Sequence, residues 1–201
     1  MENQVLEFIK KVQSIAQIGL SFSTDPYAID NYEELRKISI RMLKEYTSLP
    51  DDECELYKDF IYPTPQPAVR TLVVRDNKLL LVKEKDSGLW SLPGGWCDID
   101  CTPKETAIKE TYEESGYVIE CTKLLAVFDR RHYIKKSLYD VYCLYFLGNI
   151  VGVHGLGKPL AAHQHQLGLL KVGRAALRRT NCKAALLYLV DIPAAPGAAE
   201  L

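Results

Sequence analysis

Three prolines alternate through Tyr62-Pro63-Thr64-Pro65-Gln66-Pro67. Each fixes φ, removes a backbone donor and pushes the residue before it away from helix, so the stretch is a stiff, extended connector. The hydrophobic period differs on its two sides. Before it, Val5, Phe8, Ile9, Val12, Ile15 and Ile18 recur at spacings of three and four, with Glu, Lys and Gln between them. That predicts an amphipathic helix over about 2–20. Ser21 to Pro26 breaks it. A second helix is expected from Asn31 to Tyr46, with Leu35, Ile38, Ile40, Met42 and Leu43 available for burial, and Asp51 to Asp59 is a candidate for a short third. After the prolines the period becomes that of strands. Val69 to Val74 and Leu79 to Val82 flank Arg75-Asp76-Asn77-Lys78, a hairpin signal in which Asn can take positive φ. Leu89-Trp90-Ser91-Leu92 reads as a short strand halted at Pro93-Gly94-Gly95. A helix follows from Pro103 to Ser115, then strands over about Val118 to Phe128 and Tyr139 to Leu147. The expectation is an α+β chain. A small helical domain covers residues 1–62, and a mixed sheet sandwiched between helices covers 67–201.

The formal net charge of -1 gives no general attraction to nucleic acid or to a membrane surface. The start of the chain lacks the basic-then-apolar order of a secretory signal. The late apolar run Ala184 to Val190 falls far short of the ~20 residues a spanning helix needs. Cys54, Cys97, Cys101, Cys121, Cys143 and Cys182 are scattered without a C-x-x-C pair. They read as free thiols of a reducing cytoplasm rather than a disulfide frame, and Cys97 and Cys101 lack the second ligand pair of a zinc site.

The helix from Pro103 is strongly announced. Thr102 suits the N-cap, Pro103 the first turn, Glu105 completes a capping box, and Gly116 suits the C-terminal stop. Glu110, Glu113 and Glu114 then stand at i, i+3 and i+4, on one face. Three clustered carboxylates repel one another. Taken alone they describe a solvated acidic face, but a hard divalent cation turns the repulsion into binding, since magnesium prefers carboxylate and phosphate oxygens. Gly94-Gly95, just before the helix, permits the close backbone approach that a diphosphate site requires.

Gly95, Lys109-Glu110, Glu113-Glu114 and Gly116 together resemble the Nudix box, Gly-x5-Glu-x7-Arg-Glu-U-x-Glu-Glu-x-Gly-U with U apolar. Leu89 to Gly95 resembles its usual lead-in. The chain departs from the pattern at Cys101 for the first glutamate, Lys109 for the arginine and Thr111 for the apolar position. In the family that glutamate and arginine mainly pair with each other. Cysteine cannot, so Lys109 is expected to lose its partner and the loop to be less firmly braced. Residues 1–60, Gly94-Gly95-Trp96, Glu113 to Tyr117 and Leu124 to Arg130 are also similar to one bacterial Nudix subgroup. That subgroup contains CDP-choline pyrophosphatases and enzymes assigned to ADP-ribose.

The resemblance implies an α/β/α sandwich in which Glu110, Glu113 and Glu114 coordinate magnesium, with manganese as an alternative. The Gly94 carbonyl is a further ligand, and the metal polarises the diphosphate and activates water. It implies a homodimer involving the N-terminal domain. The activity it points to is hydrolysis of a nucleoside-diphosphate derivative such as CDP-choline. ADP-ribose hydrolysis, or a catalytically weakened module that binds a nucleotide, are the alternatives.

Other residues admit two readings. The basic stretch Arg130 to Lys136 is a solvated turn, or Arg130 and Arg131 neutralise substrate phosphates. Trp96, directly after the glycines, is a core residue or stacks on a base or over a quaternary ammonium, whereas Trp90 reads as core. Cys97 and Cys101 read as inert, and His163 and His165 as a solvated loop. The end of the chain is unusual. From Val141 to Val190 there is no Asp or Glu, where the chain's own rate of 26 acids in 201 residues predicts about six. Gly168 to Ala176 can be back-translated so that reading one base later gives Val-Phe-Leu-Lys-Leu-Asp-Glu-Leu-Pro, which resembles the family's segment near its last helix. The composition after about residue 151 therefore suggests a shifted reading frame and a tail that folds poorly.

Overall fold

The computed structural model describes residues 2–50, 52–76, 78–84, 88–132 and 137–153, together with the backbone of 166–171. It divides into two compact units, one formed by Met1–Gln66 with the segment ending at Asp140, the other by Pro67–Tyr133 and the chain from Val141 onward.

The first unit holds α1 (Glu2–Phe22), α2 (Pro26–Thr47) and a single 3-10 turn at Asp52–Cys54. The acidic stretch thus forms that turn rather than a third helix. The break between α1 and α2 is shorter than the apolar spacing suggests. Asp25 caps α2 by accepting the Tyr27 N–H at 3.1 Å, and Pro26 occupies the first turn, where a missing N–H costs nothing. Gly19 lets the helices meet, since a Cβ there would lie 2.4 Å from the Tyr32 ring.

The inner face of α1 takes only part of the apolar stripe of the sequence. Val5, Phe8 and Ile15 are 41%, 60% and 44% exposed, whereas Leu6, Ile9, Lys10, Gln13, Ala16 and Gln17 are buried. Leu6 and Ile9 pack with Leu43, Cys54 and Leu56. Gln13 donates to the Cys54 carbonyl and accepts from the Leu56 N–H, at 2.9 and 2.7 Å. Lys10 lies 2.7 Å from the Asp140 carboxylate and donates to the Ser137 carbonyl at 3.1 Å. Polar side chains on the inner face therefore satisfy non-helical backbone, which an apolar stripe could not do. Of the five α2 residues available for burial, Leu43 alone is fully buried, and Ile38 and Met42 are exposed.

The second unit holds β1 (Gln66–Arg75), β2 (Lys78–Lys83), β3 (Trp90–Ser91), α3 (Pro103–Ser115), β4 (Tyr117–Asp129), β5 (Val141–Val153) and β6 (Gln166–Lys171). The mixed sheet runs β3-β2-β1-β5-β4, with β6 pairing to β2 outside that order. At the β1–β2 turn Asp76 takes positive φ, at 52°, and Asn77 lies outside the described residues. Alternation along β1 divides the core. Ala68 and Leu72 join Leu79, Leu81, Leu92, Val141 and Tyr145, while Val69 and Val73 join Leu80, Ala107, Ile119 and Phe146 beneath α3.

The α3 face against the sheet is made of small residues, namely Thr106, Ala107, Thr111 and Ser115. Each of the three hydroxyls donates to the carbonyl four residues back. That is how Thr111 fits where an apolar side chain is usual.

Within the acid-free stretch, β6 adds a strand in register from Lys83↔Gln166 to Lys78↔Lys171, which the tail's composition did not lead us to expect. The expected second helical layer, with His163 and His165, falls on residues outside those described. No helix among the described residues is long and apolar enough to cross a membrane.

Candidate active site

Both ends of α3 are fixed as its sequence announces. Glu105 and Thr102 form the reciprocal capping box, with the Glu105 N–H donating to Thr102 at 3.2 Å and the Thr102 N–H to Glu105 at 2.8 Å. These bonds lower the Glu105 carboxyl below its usual range. Gly116 ends the helix at φ 73°, its N–H returning to the Tyr112 carbonyl. A helix pinned at both ends sets the direction in which Glu110, Glu113 and Glu114 project.

The glycine loop is an extension of the sheet rather than a free loop. Thr71 N–H donates to the Pro93 carbonyl at 2.8 Å, Val69 N–H to Gly95 at 2.9 Å, and Cys97 N–H to Pro67 at 3.1 Å. Gly94 stands at φ 144°, and a Cβ on it would lie 2.1 Å from the Val69 carbonyl oxygen. No other residue fits there without displacing β1. The Gly94 peptide is held from both sides. Its N–H donates to Glu114 Oε2 at 2.9 Å, and its carbonyl accepts from the Arg70 guanidinium, which also donates to the Val69 carbonyl at 3.3 Å. Gly95 leaves room for Glu110, whose carboxyl group would meet a Cβ at 2.9 Å.

Glu110 and Glu114 are thus brought to the two glycines. Glu113 lies 3.9 Å from Lys109. Lys109 has not lost its partner: its ammonium sits 2.5 Å from Asp98, and that bond, with help from Glu113, raises its pKa. Cys101 is half-buried. The expectation of an unpaired Lys109 fails because Asp98, nearer the glycines, supplies the carboxylate. Among the described residues no group of three or more His, Cys, Asp or Glu converges on a single point. The glutamates share a face but are drawn to different neighbours. Glu110, Glu113, Glu114 and the Gly94 carbonyl are all oxygen donors, the kind a hard divalent cation takes, though as placed here they do not converge.

Trp96 is 49% exposed beside the glycines. Trp90 packs against the core, with the Lys83 ammonium 6.0 Å from its ring centroid. Arg130 is half-buried. Arg131 forks onto Asp129, with Nε at 3.1 and 3.0 Å from the two oxygens, so several of its donors are used locally. The His132 side chain and residues 133–136 lie outside the described residues. Burial and Asp98 push the Cys97 thiol pKa up, the direction away from a reactive thiolate. Two residues of the site, Arg70 and Asp98, were not singled out by sequence. The signal for Arg70 was a lone charge within the apolar run Val69 to Val74.

Residues 64–166 match the NUDIX domain. The chain belongs to the Nudix hydrolase family. Residues 3–57 match the UDP-X-like, N-terminal oligomerisation domain. The chain is 41% identical over 151 residues to Putative ADP-ribose pyrophosphatase YjhB of Bacillus subtilis (strain 168), covering 72% of this chain and 71% of that protein. It is similar to the crystal structure of a UDP-X diphosphatase, with a TM-score of 0.53, 27% identity and 94% of each chain covered. It is also similar to an ADP-ribose pyrophosphatase from Streptococcus suis 89-1591, with a TM-score of 0.51, 28% identity, and 65% of this chain and 94% of that one covered. Nudix hydrolases generally act with a divalent metal ion, typically magnesium.

Proposed function

We propose that this Nudix hydrolase cleaves the diphosphate linkage of a nucleoside-diphosphate derivative, with Glu110, Glu113, Glu114 and the Gly94 carbonyl holding magnesium or manganese. The observation that carries this is the approach of Glu114 to Gly94 and of Glu110 to Gly95, with Glu113 on the same helix face, so that carboxylate oxygens stand beside the glycine backbone. When bound, the metal supplies Lewis-acid polarisation of the diphosphate oxygens and lowers the cost of generating the attacking nucleophile from water. The chain's own residues do the rest. Glu114 and Arg70 fix the Gly94 peptide. Arg130, with Arg131 once released from Asp129, neutralises phosphate charge. Trp96 offers an exposed ring for a base.

ADP-ribose is the substrate favoured here, since it is named for the relative that is 41% identical and for the Streptococcus suis structure. CDP-choline stands second on the strength of Trp96, whose exposed face suits a quaternary ammonium. The test is a product assay with ADP-ribose, a UDP-sugar and CDP-choline in the presence of magnesium. Faster release of AMP than of UMP or CMP is the expected result. Failure to hydrolyse any of the three would favour a nucleotide-binding module instead.

Magnesium should also stabilise the fold, because it relieves repulsion among the glutamates and binds the native state alone. The thermal midpoint is expected to rise in millimolar magnesium beyond its rise in sodium chloride of equal ionic strength. An identical response to both salts would mean that the face is merely solvated.

The reading includes a cytoplasmic homodimer. The exposed Val5, Phe8 and Ile15 of α1 form an apolar stripe within the segment matched to an oligomerisation domain. The shifted-frame account of the tail remains part of the proposal, and the coding DNA tests it. If no one-base shift restores a family-like tail, that account is wrong.

A further inference from the structure

The glycine loop touches α3 at three places. Gly94 meets Glu114, Gly95 meets Glu110, and Asp98 meets Lys109. Its other side is bonded to β1 as far as Cys97. Beyond Cys97 the chain leaves the sheet. Asp98, Ile99 and Asp100 are exposed, and Asp100 turns the backbone with φ 64°. The ion pair to Lys109 is what joins the loop to α3 at that point.

The same ion pair decides where the Lys109 ammonium goes. It has two acidic neighbours, Asp98 at 2.5 Å and Glu113 at 3.9 Å. Without Asp98, the i, i+4 geometry of Lys109 and Glu113 would let the ammonium settle on Glu113. A cation there competes with a metal for the same carboxylate. We infer that Asp98 is a positioning residue for the metal face, anchoring the loop beyond the glycines and diverting Lys109 from Glu113. This rests on the magnesium-site reading above. The pair is 45% and 43% exposed, so its worth to global stability is small. Its effect should appear in metal affinity: loss of a group bonded directly to a ligand typically costs 10–100-fold, and Asp98 acts one residue further out, through Lys109.

The test is manganese affinity of the full chain, followed by electron paramagnetic resonance of the free ion. Wild-type protein is measured first, and absence of manganese binding would overturn the metal-site reading and this inference with it. Given wild-type binding, Asp98→Asn should weaken affinity about tenfold. Asp98→Glu, which keeps the carboxylate, should stay near wild type. Asp100→Asn removes an equal charge from the same loop and should also stay near wild type. Thermal midpoints of all three should match wild type, which separates positioning from unfolding. Unchanged affinity in Asp98→Asn would overturn the inference while leaving the metal site standing. So would a loss in Asp100→Asn equal to that in Asp98→Asn, or a full loss in Asp98→Glu.

Discussion

Glu114→Gln is expected to lower the rate of diphosphate hydrolysis at least tenfold, about 1.4 kcal/mol of barrier, without unfolding the protein. The geometry makes this substitution unusually clean. Glu114 accepts the Gly94 N–H at 2.9 Å, and the carbonyl oxygen of a glutamine can accept the same bond. The loop therefore keeps its place and the charge alone is lost. That charge does nothing for the helix. Glu114 stands in the last turn of α3, where a negative charge opposes the helix dipole. Its removal should leave the thermal midpoint unchanged or slightly raised. Initial rates and thermal midpoints of the purified variant check both halves. A parental rate would exclude Glu114 from the catalytic metal ligands. An inactive variant with a sharply lower midpoint would make its role structural.

The parts of the fold legible in sequence were those set by local chemistry. The caps of α3 depend on Thr102, Pro103, Glu105 and Gly116 acting within a turn of themselves, and each does so in the structure. The glutamate face follows from helix period alone. What escaped depends on contacts distant in the chain. The period of α1 was readable from Val5, Phe8 and Ile15, but which face turns inward was decided by Lys10 and Gln13. Their partners, Asp140 and the Cys54–Leu56 backbone, lie far along the chain. Asp98 replaced the missing glutamate because the loop curls its side chain back to Lys109, and box spacing does not encode that curl. Arg70 was hidden within a strand whose neighbours are apolar, and its meaning appeared once Gly94 was laid against β1. The start of α2 was a different kind of miss: Asp25-Pro26 is a local start signal that the apolar spacing outweighed.

The full-length chain is expected to be a dimer, and Phe8→Glu with Ile15→Glu is expected to make it a monomer. Phe8 and Ile15 are 60% and 44% exposed on a helix whose opposite face is buried within its own unit. Charges placed there should leave the protomer folded, which an end-to-end deletion of residues 1–60 would not guarantee. A large apolar side chain contributes roughly 1.5–3 kcal/mol on full burial, and about half of each is available to bury here. A two-fold axis counts every contact twice, so the pair of substitutions should remove roughly 3–6 kcal/mol. That is about two to four decades in dimer affinity. Hydrolysis of a small substrate should persist in the monomer, because Glu110, Glu113 and Glu114 all belong to the other compact unit. A loss of substrate affinity at unchanged maximal rate would instead mean that the second copy helps to shape the substrate site. Light scattering on parent and variant, on the order of ten micromolar, decides the assembly. A monomeric parent at that concentration would remove the dimer from the proposal and leave the hydrolase assignment intact. A variant that remains dimeric would move the interface away from this stripe of α1.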